Sequence, residues 1–271
     1  LKDVLVDSAP ILLAGLMSLV FLNVDVVMLG FLRSAEEVGI YVGMGRLFVL
    51  SMFVGQIVSA AFAPALAAAA SDPDEKRAIY YRHIRIIVFI GAPVCAGIIA
   101  FPDWVIKVVF GEQFIAGAPI LALLVTAAML SYACMAPLTA LVAWRDQTAQ
   151  MAILSVVAAA NVVLNLWLIP VHGGIGAAVA TLAAQLVMLV LLIYRVMSKF
   201  GLFGFLPAGG AILCGGAAFA AARGAISALE LGDDVRAAWI LPLLMVVAGT
   251  GLYMMLTYAV GDVRRADLTA L

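Results

Sequence analysis

Two charged residues lie inside apolar stretches of the sequence, and they are the first candidates for chemistry. Asp25 belongs to an apolar run that begins near Pro10, and Arg46 belongs to the next run. If these runs are membrane helices, each charge costs about 3 kcal/mol on insertion scales and is a functional candidate by default. Counted from the turn near Arg33, both residues lie roughly 10–12 Å from the same end of neighbouring helices. The spacing predicts that Asp25 and Arg46 can meet.

The pair has two interpretations at this stage. In the first, an ion pair lets two charges share a dry site. In the second, the residues line a water-filled cavity, where Asp25 takes up a proton or cation and Arg46 binds an anionic group of a substrate. Asn23, close to Asp25 in the sequence, adds polarity under either interpretation.

Amide side chains form a second set of candidates. Asn161 and Asn165 are four residues apart, which places them on one face of a helix. They would either form a hydrogen-bonded clamp between helices or line a polar cavity. Gln56 and Gln185 are weaker examples of the same two alternatives.

The composition identifies the environment that must hold these residues. The chain has 271 residues, of which 66% are hydrophobic and 11% are charged, with a mean hydropathy of +1.18. A soluble domain has about 45–50% apolar and about 25% charged residues. One soluble core cannot bury this much apolar surface, so the sequence predicts an integral membrane protein.

The apolar runs predict an all-α, polytopic membrane fold with eight transmembrane helices, since a bilayer core about 30 Å thick needs about 20 apolar residues per helix. The predicted spans are 9–32, 38–68, 84–101, 115–143, 149–169, 174–197, 203–222 and 236–260. Pro170 followed by Gly173 and Gly174 predicts a tight turn between the fifth and sixth spans. Small residues at Gly39 and Gly43, and again at 173–178, predict close helix packing.

The positions of the basic residues predict an orientation. Ten Lys and Arg residues fall on one side of the predicted spans and four on the other. By the positive-inside rule, both termini and the loops 69–83, 144–148 and 198–202 are expected on the cytoplasmic side. In the first of these loops and just after it, Arg82 and Arg85 are either anchors of a solvated segment or candidates for binding an anionic lipid head group.

Several function classes are excluded or weakened. A net charge of −1 gives no basic excess for nucleic acid. The three cysteines, Cys95, Cys134 and Cys214, are far apart and lie within apolar runs, so they are predicted to be buried hydrophobic residues. The chain has two histidines, so a His-rich metal site is not expected. The chain has neither a Walker lysine pattern nor a dinucleotide fingerprint, so no cofactor and no metal are expected.

The order of several short motifs resembles the second half of the polysaccharide-export flippases, which are lipid-linked oligosaccharide flippases of the multidrug/oligosaccharidyl-lipid/polysaccharide (MOP) exporter superfamily. The motifs are SAP at 8–10, NVDVVMLG at 23–30, VGIY at 38–41, FGEQF at 110–114, NVVLN at 161–165, LIP at 168–170, GGIGAA at 173–178 and DL at 267–268. Together they extend over most of the chain.

The resemblance implies a fold and a division of the chain. Residues 8–199 would form a six-helix bundle, the second lobe of a flippase fold like that of MATE transporters. Residues 202–260 would form an extra helix pair, and 261–271 a cytoplasmic tail. The first bundle would be missing, so the chain is expected to be the C-terminal part of a fourteen-helix protein.

The resemblance also implies a function. The expected substrate is an oligosaccharide on undecaprenyl pyrophosphate, flipped by alternating access across the bacterial cytoplasmic (inner) membrane for surface polysaccharide synthesis. Expected partners are membrane lipid, the polysaccharide polymerase and other assembly proteins. The alternatives are a multidrug cation-antiporter of the same superfamily, a membrane-embedded lipid transferase and a structural membrane subunit. A transferase would need an interfacial carboxylate cluster, for which Asp72, Asp74 and Glu75, or Asp233 and Asp234, are available.

Overall fold

A computed structural model of the chain describes residues 2–201 and residue 253, with side chains from residue 10 onward. All elements of this part are helical. The α-helices are α1 (Lys2–Leu32), α2 (Ala35–Ala68), α3 (Pro73–Ala100), α4 (Pro102–Val109), α5 (Ala118–Ala143) and α6 (Gln147–Phe200). Short 3-10 turns occupy Ala69–Ser71 and Glu112–Gly117.

The described residues contain five helices that are long and apolar enough to cross a membrane. They are Pro10–Leu32, Ala35–Ser71, Pro73–Ala100, Glu112–Ala143 and Gln147–Phe200. Many large apolar side chains on α1 and α2 lie on the outside of the bundle, among them Leu12, Leu19 and Leu50, each at least 60% exposed. Such surfaces are stable in lipid and unstable in water. The chain is therefore a multi-pass membrane protein.

The described residues cover the first six of the eight predicted spans, so the count of eight stays a prediction. The predicted fifth and sixth spans, 149–169 and 174–197, are the two limbs of α6, which meet at Gly173, where φ is 55° and ψ is −133°. Two predicted spans lie outside the described residues, the seventh at 203–222, which includes Cys214, and the eighth at 236–260. Tyr253 is the one described residue within them.

α6 is a hairpin of two limbs, 147–172 and 174–200. The Asp146 carboxylate at its start binds Arg195 near its end, with Nε to Oδ2 at 2.8 Å and Nη2 to Oδ1 at 2.9 Å. In a straight helix these residues would be about 70 Å apart. Each limb exceeds the about 20 residues that a bilayer requires. The turn predicted at Pro170–Gly174 is thus confirmed at Gly173.

The contacts define two ends of the bundle. At the Arg33 end, comprising 33–34, 101–117 and 170–174, Arg33 contacts the turn of α6. At the Arg195 end, comprising 69–72, 144–146 and 195–201, Trp144 Nε1 donates to the Leu66 carbonyl at 3.0 Å and the Lys76 ammonium lies 4.7 Å from the centre of the Trp144 indole. The helices α1, α2, α3 and α5 and the two limbs of α6 therefore run between the two ends in alternating directions, and the short α4 lies at the Arg33 end.

α3 begins eleven residues before the predicted span at 84, so the expected loop 69–83 is mostly helical. Asp72 is the N-cap and accepts from the amides of Asp74 and Glu75 at 2.9 and 3.2 Å, and Pro73 is the first helical residue. A capping carboxylate, a proline at the first position and an acidic first turn all favour a helix start. The first turns of α3 are charged, so the apolar run predicts a start at 84 instead of at Pro73.

The centre of the bundle is packed around Tyr132 of α5. Its ring lies between Gly55 of α2 and Gly91 of α3, and its hydroxyl donates to the Ser51 carbonyl. A Cβ added at Gly55 would lie 2.6 Å from Tyr132 Cε1. Cys95 and Cys134 are buried free thiols, as predicted.

The small-residue predictions have mixed outcomes. At Gly174 and Gly176 the packing is close: an added Cβ would meet Ile120 at 2.9 Å and the Leu168 backbone, respectively. The prediction is wrong for Gly39, which has no described atom within 4 Å of an added Cβ, and for Gly43, whose nearest contact is an ordinary 3.8 Å. The Phe110 and Phe114 rings cover Gly43 without close backbone approach.

We predict that Gly55→Ala destabilises the bundle. The added methyl cannot be accommodated by movement of Tyr132, whose other face packs against Gly91. Overpacking of this kind costs about 1–3 kcal/mol. Thermal unfolding in detergent measures the effect, and Gly45→Ala is the matched control on the same helix because no described atom lies within 4 Å of its added Cβ. Equal melting temperatures for the two variants would show that the Tyr132 packing is not tight.

We predict a pH-dependent stabilisation of the α6 hairpin by Asp146. The hydrogen bond from Arg195, assisted by Lys199, holds the pKa of the Asp146 carboxyl below its usual range. Because the unfolded-state pKa is about 3.9, this stabilisation is present above about pH 4 and is lost as the pH falls through the lower folded-state pKa. Arg195→Gln should lower the melting temperature by about 2 °C at pH 7, since the pair is partly exposed.

The difference between Arg195→Gln and the parent protein should shrink as the pH falls below 4. Lys107→Gln is the control, because its ion pair with Glu112 is solvent-exposed and joins no two limbs. A deficit that is constant with pH would assign the effect to lost packing of the arginine stem instead of its charge.

Candidate functional site

A cavity of about 460 Å³ opens between α1 and α2 on the half of the bundle nearer the Arg33 end. Leu124 of α5 and Thr181 of the second limb of α6 complete its wall, which is mostly apolar. The polar residues lining it are Asn23, Asp25, Tyr41, Arg46 and Thr181. Asp25 and Arg46, predicted to meet, therefore border one cavity.

Asp25 is the buried carboxyl of this cavity, with 6% of its surface exposed. Its Oδ2 accepts a hydrogen bond from the Tyr41 hydroxyl, and its Oδ1 accepts from the Val26 amide at 2.9 Å. Tyr41 itself is 1% exposed. Thr181, whose hydroxyl donates to the Ala177 carbonyl at 3.1 Å, lines the same cavity. The Tyr41 and Val26 donors make burial of the carboxyl tolerable, because a buried charge without hydrogen bonds is strongly unfavourable.

Arg46 is exposed at the edge of the cavity. Within residues 10–201 the ion pairs are Lys107–Glu112, Arg195–Asp146 and Lys199–Asp146, and none joins Asp25 to Arg46. Asp25 and Arg46 therefore do not form an ion pair in this structure. Asn23 is also exposed and donates to the Leu19 carbonyl of its own helix at 2.9 Å.

The position of helix α2 explains why Asp25 binds Tyr41. α2 begins at Ala35 instead of the predicted 38, so Tyr41 lies about 9 Å along it and Arg46 about 16 Å along it. Asp25 lies about 10 Å from the end of α1. Tyr41 is thus at the depth of Asp25. Tyr41 lies eight residues after Arg33 in the sequence, and Asp25 lies eight residues before it. This equal spacing from the turn is the feature of the sequence that indicates an equal depth for the two residues.

Asn161 and Asn165 are both fully buried on the first limb of α6. Asn165 Nδ2 donates to Asn161 Oδ1 at 3.1 Å, a bond within one helix and not between two. Asn161 Nδ2 and Asn165 Oδ1 have no hydrogen-bond partner among the described residues. The pair keeps one buried donor and one buried acceptor available, and neither residue lines the cavity of Asp25.

The remaining predicted residues lie elsewhere. Gln56 is exposed on α2, beyond the residues that line this cavity. Gln185 is buried and donates to Cys134 Sγ at 3.5 Å. Arg82 and Arg85 lie half-buried on α3, and their binding of a lipid head group stays a prediction.

A second cavity, of about 590 Å³, lies between α2, α5 and the start of α6 near the Arg195 end. Ala60, Ala63 and Ala67 form part of its wall, and Arg145 is the charged residue among those that line it. The two cavities therefore lie along opposite halves of α2. The acidic cluster Asp72, Asp74 and Glu75, considered for a transferase, caps α3, with Asp72 accepting two backbone amides.

Residues 1–119 match the family model described as "Polysaccharide biosynthesis protein". This match agrees, over these residues, with the resemblance to the polysaccharide-export family. No curated protein matches the sequence significantly. The family match covers α1 to α4 and the motifs at 8–41 and 110–114, and so includes the Asp25, Tyr41 and Arg46 positions.

Solved structures show the fold that goes with this family match. The lipid II flippase MurJ in an inward closed conformation has a TM-score of 0.70 at 14% identity, over 92% of this chain and 51% of that protein. An outward-facing multidrug resistance MATE family transporter has a TM-score of 0.62 at 17% identity, over 93% and 63%. A MOP superfamily transporter from Pyrococcus furiosus has a TM-score of 0.61 at 17% identity, over the same fractions.

The chain thus has the fold of the MOP transporters and spans about half to two thirds of the length of these proteins. At this level of identity, the likeness establishes the fold alone. The all-helical, multi-span architecture agrees with the comparison, and the division into 8–199 and 202–260 stays a prediction.

We predict that Tyr41→Phe destabilises the protein, because it removes the hydroxyl donor from the buried Asp25 carboxyl. Leaving such a group without its partner costs about 1–3 kcal/mol. Thermal unfolding of Tyr41→Phe is to be compared with Tyr194→Phe, a control at a tyrosine that is 70% exposed. A melting temperature of Tyr41→Phe equal to that of the control would mean that the Tyr41–Asp25 hydrogen bond contributes nothing.

Proposed function

We propose that this chain is one lobe of a transporter that moves a polyprenyl-pyrophosphate-linked oligosaccharide across the bacterial cytoplasmic membrane for surface polysaccharide synthesis. The observation that carries the proposal is the cavity between α1 and α2, where a cation and a buried carboxyl border one space within membrane-spanning helices. The family match at residues 1–119 supports polysaccharide biosynthesis as the process.

Arg46 has the chemistry to bind the substrate's anionic group. Its guanidinium is exposed to the cavity and has neither an ion pair nor a side-chain hydrogen bond with the described residues. A guanidinium binds phosphate oxygens in a bidentate geometry. Val42, Val49 and Phe53 of the same wall offer apolar surface beside it.

Asp25 has the chemistry of a coupling group. A buried carboxyl that faces a cavity can exist with or without a proton or a bound cation, and its partners respond to the change. The Tyr41 hydroxyl would reorient when Asp25 changes state, because it donates to that carboxylate. In this proposal Asp25 takes up a proton or cation and Arg46 holds the phosphate, and neither acts as a catalyst.

Alternating access fits the arrangement of the two cavities. A sugar head group cannot cross hydrocarbon, so the protein must offer a polar space to each leaflet in turn while the polyprenyl chain stays in lipid. The cavities on opposite halves of α2 support this proposal. The positive-inside rule supports placing the Arg195 end, with Lys76, Arg145 and Lys199, in the cytoplasm.

A multidrug antiporter is the second candidate, favoured by the similarity of the fold to the MATE structure. A cationic drug would be attracted by Asp25 and repelled by Arg46. The two functions therefore predict opposite effects of removing the arginine.

The test uses the complete native gene product in a bacterial strain whose own flippase gene is deleted. We predict that Arg46→Ala and Asp25→Asn abolish restoration of surface polysaccharide. Loss of charged hydrogen bonds of about 1.5–3 kcal/mol corresponds to about 10- to 100-fold in apparent affinity. Arg46→Lys should keep partial activity, because it retains the charge without the bidentate geometry.

Lys107→Gln and Glu112→Gln are matched controls, since both remove an exposed charge at the Arg33 end without touching the cavity. Membrane levels of every variant are measured by immunoblot. Full restoration of polysaccharide by Arg46→Ala at normal levels would contradict the proposal, and drug resistance conferred by the parent protein and increased by Arg46→Ala would favour the antiporter.

A further inference from the structure

The reversal of α6 at Gly173 leaves backbone groups without helical partners on both limbs. The first limb ends with free carbonyls and the second begins with free amides. Arg33, half-buried in the turn between α1 and α2, donates to the Ile169 carbonyl from Nε at 3.1 Å and from Nη2 at 2.7 Å. The same Nη2 donates to the Pro170 carbonyl at 2.7 Å. One guanidinium therefore binds the end of the first limb.

Glu37 binds the start of the second limb. Its Oε1 accepts the Gly174 amide at 2.8 Å, and a Cβ at Gly173 would overlap the carboxylate. Glycine at 173 is required twice, by this close approach and by its φ of 55°. The cation is at a helix C-terminus and the anion at a helix N-terminus, so both charges also complement the helix dipoles.

The same face of α2 continues to the Asp25 site. Glu37 and Tyr41 are four residues apart, one turn of α2, and Gly174 and Thr181 are seven apart, two turns of the second limb. A Cβ at Gly174 would lie 3.5 Å from Tyr41 Cδ2, which places the Tyr41 ring against this limb. The position of the second limb therefore decides where Thr181 lies relative to Tyr41 and Asp25.

We infer that Arg33 and Glu37 are positioning residues, which hold the α6 turn against α2 and thereby set Thr181 against the Asp25–Tyr41 pair in the cavity. They act through Gly174 and the second limb, and they bind no substrate. The inference rests on the proposed function for its transport readout, and on the structure alone for its exchange readout.

The first experiment measures backbone hydrogen exchange of the purified full-length protein by mass spectrometry. Glu37→Ala removes the acceptor of the Gly174 amide, and exchange over 174–182 should become about tenfold faster, the equivalent of one hydrogen bond. Exchange in α3 should not change. Glu36→Ala is the matched control, the same charge removal at the adjacent, exposed residue.

Conservative variants separate positioning from general stability. Glu37→Gln keeps an Oε1 acceptor, so its backbone amides should exchange at nearly the parent rate. Arg33→Lys keeps the charge but loses the guanidinium that binds two carbonyls, so exchange over 168–176 should become faster. If Glu37→Ala fails to fold, these two variants decide the matter. Equal exchange in Glu37→Ala and Glu36→Ala, or faster exchange across all helices, would overturn the inference.

The second experiment measures transport of the lipid-linked substrate in vesicles as a function of its concentration. Glu37→Ala should raise KM about tenfold, the same factor expected for the exchange, because both follow from the loss of one hydrogen bond. Thr181→Val should raise KM in the parent protein and cause little further change in Glu37→Ala, because both changes disturb the same wall. Additive effects would contradict a shared pathway. A parent protein without transport but with the predicted exchange pattern would reject the proposed function and keep the positioning role.

Discussion

The reversal of α6 at Gly173 is the constraint on which the described bundle depends. It converts a helix of 54 residues into two limbs whose ends are joined by Asp146 and Arg195 at one end of the bundle. A chain reversal leaves carbonyls and amides without helical partners, and one that is buried without another partner costs about 1–3 kcal/mol. Arg33 binds the Ile169 and Pro170 carbonyls and Glu37 binds the Gly174 amide, so three of these groups have charged partners. The loop between α1 and α2 is therefore part of the same structural unit as the α6 turn.

This unit also determines the polar chemistry of the cavity. The Asp25 carboxyl lies in α1, its donor Tyr41 in α2 and Thr181 in the second limb, so three segments must be held in register for one polar cluster. Burial of such a cluster is tolerated when its members bind one another. Arg46 differs from these residues because it remains exposed and without a partner in the described part of the chain, as a ligand-binding cation must.

The sequence was sufficient for the features that depend on composition and local chemistry. Bilayer thickness fixes the length of an apolar run, so the spans at 9–32, 38–68 and 115–143 agree closely with the apolar helices Pro10–Leu32, Ala35–Ser71 and Glu112–Ala143. Pro170 and the glycines after it located the α6 turn because few residues adopt a φ of 55°. A carboxylate among apolar residues is costly to insert into a membrane, which identifies Asp25 in the sequence as a candidate functional residue.

Other features depend on contacts between distant residues. Tyr41 is a neutral donor, so a charge within an apolar run does not single it out. A start of α2 at 38 instead of 35 also places Arg46 at the depth that Tyr41 occupies. Gly39 and Gly43 have the spacing of a packing motif, yet the close approach occurs at Gly55 and Gly91, where the Tyr132 ring fits between two helices. Which glycine faces an aromatic ring depends on how three helices rotate against one another, and no local pattern records that rotation.

The packing around Tyr132 also bears on the path of a substrate. Its ring fills the space between α2 and α3 near Gly55, between the α2 residues of the first cavity and those of the second. A route through the inside of the lobe would have to separate these helices and break the hydrogen bond to Ser51. Protein cores resist such continuous deformation, whereas packed units move against one another at small cost. Under the proposed function, the substrate therefore passes along the surface of α1 and α2, where Leu50, Phe53 and Arg46 are exposed, while the lobe moves as one body.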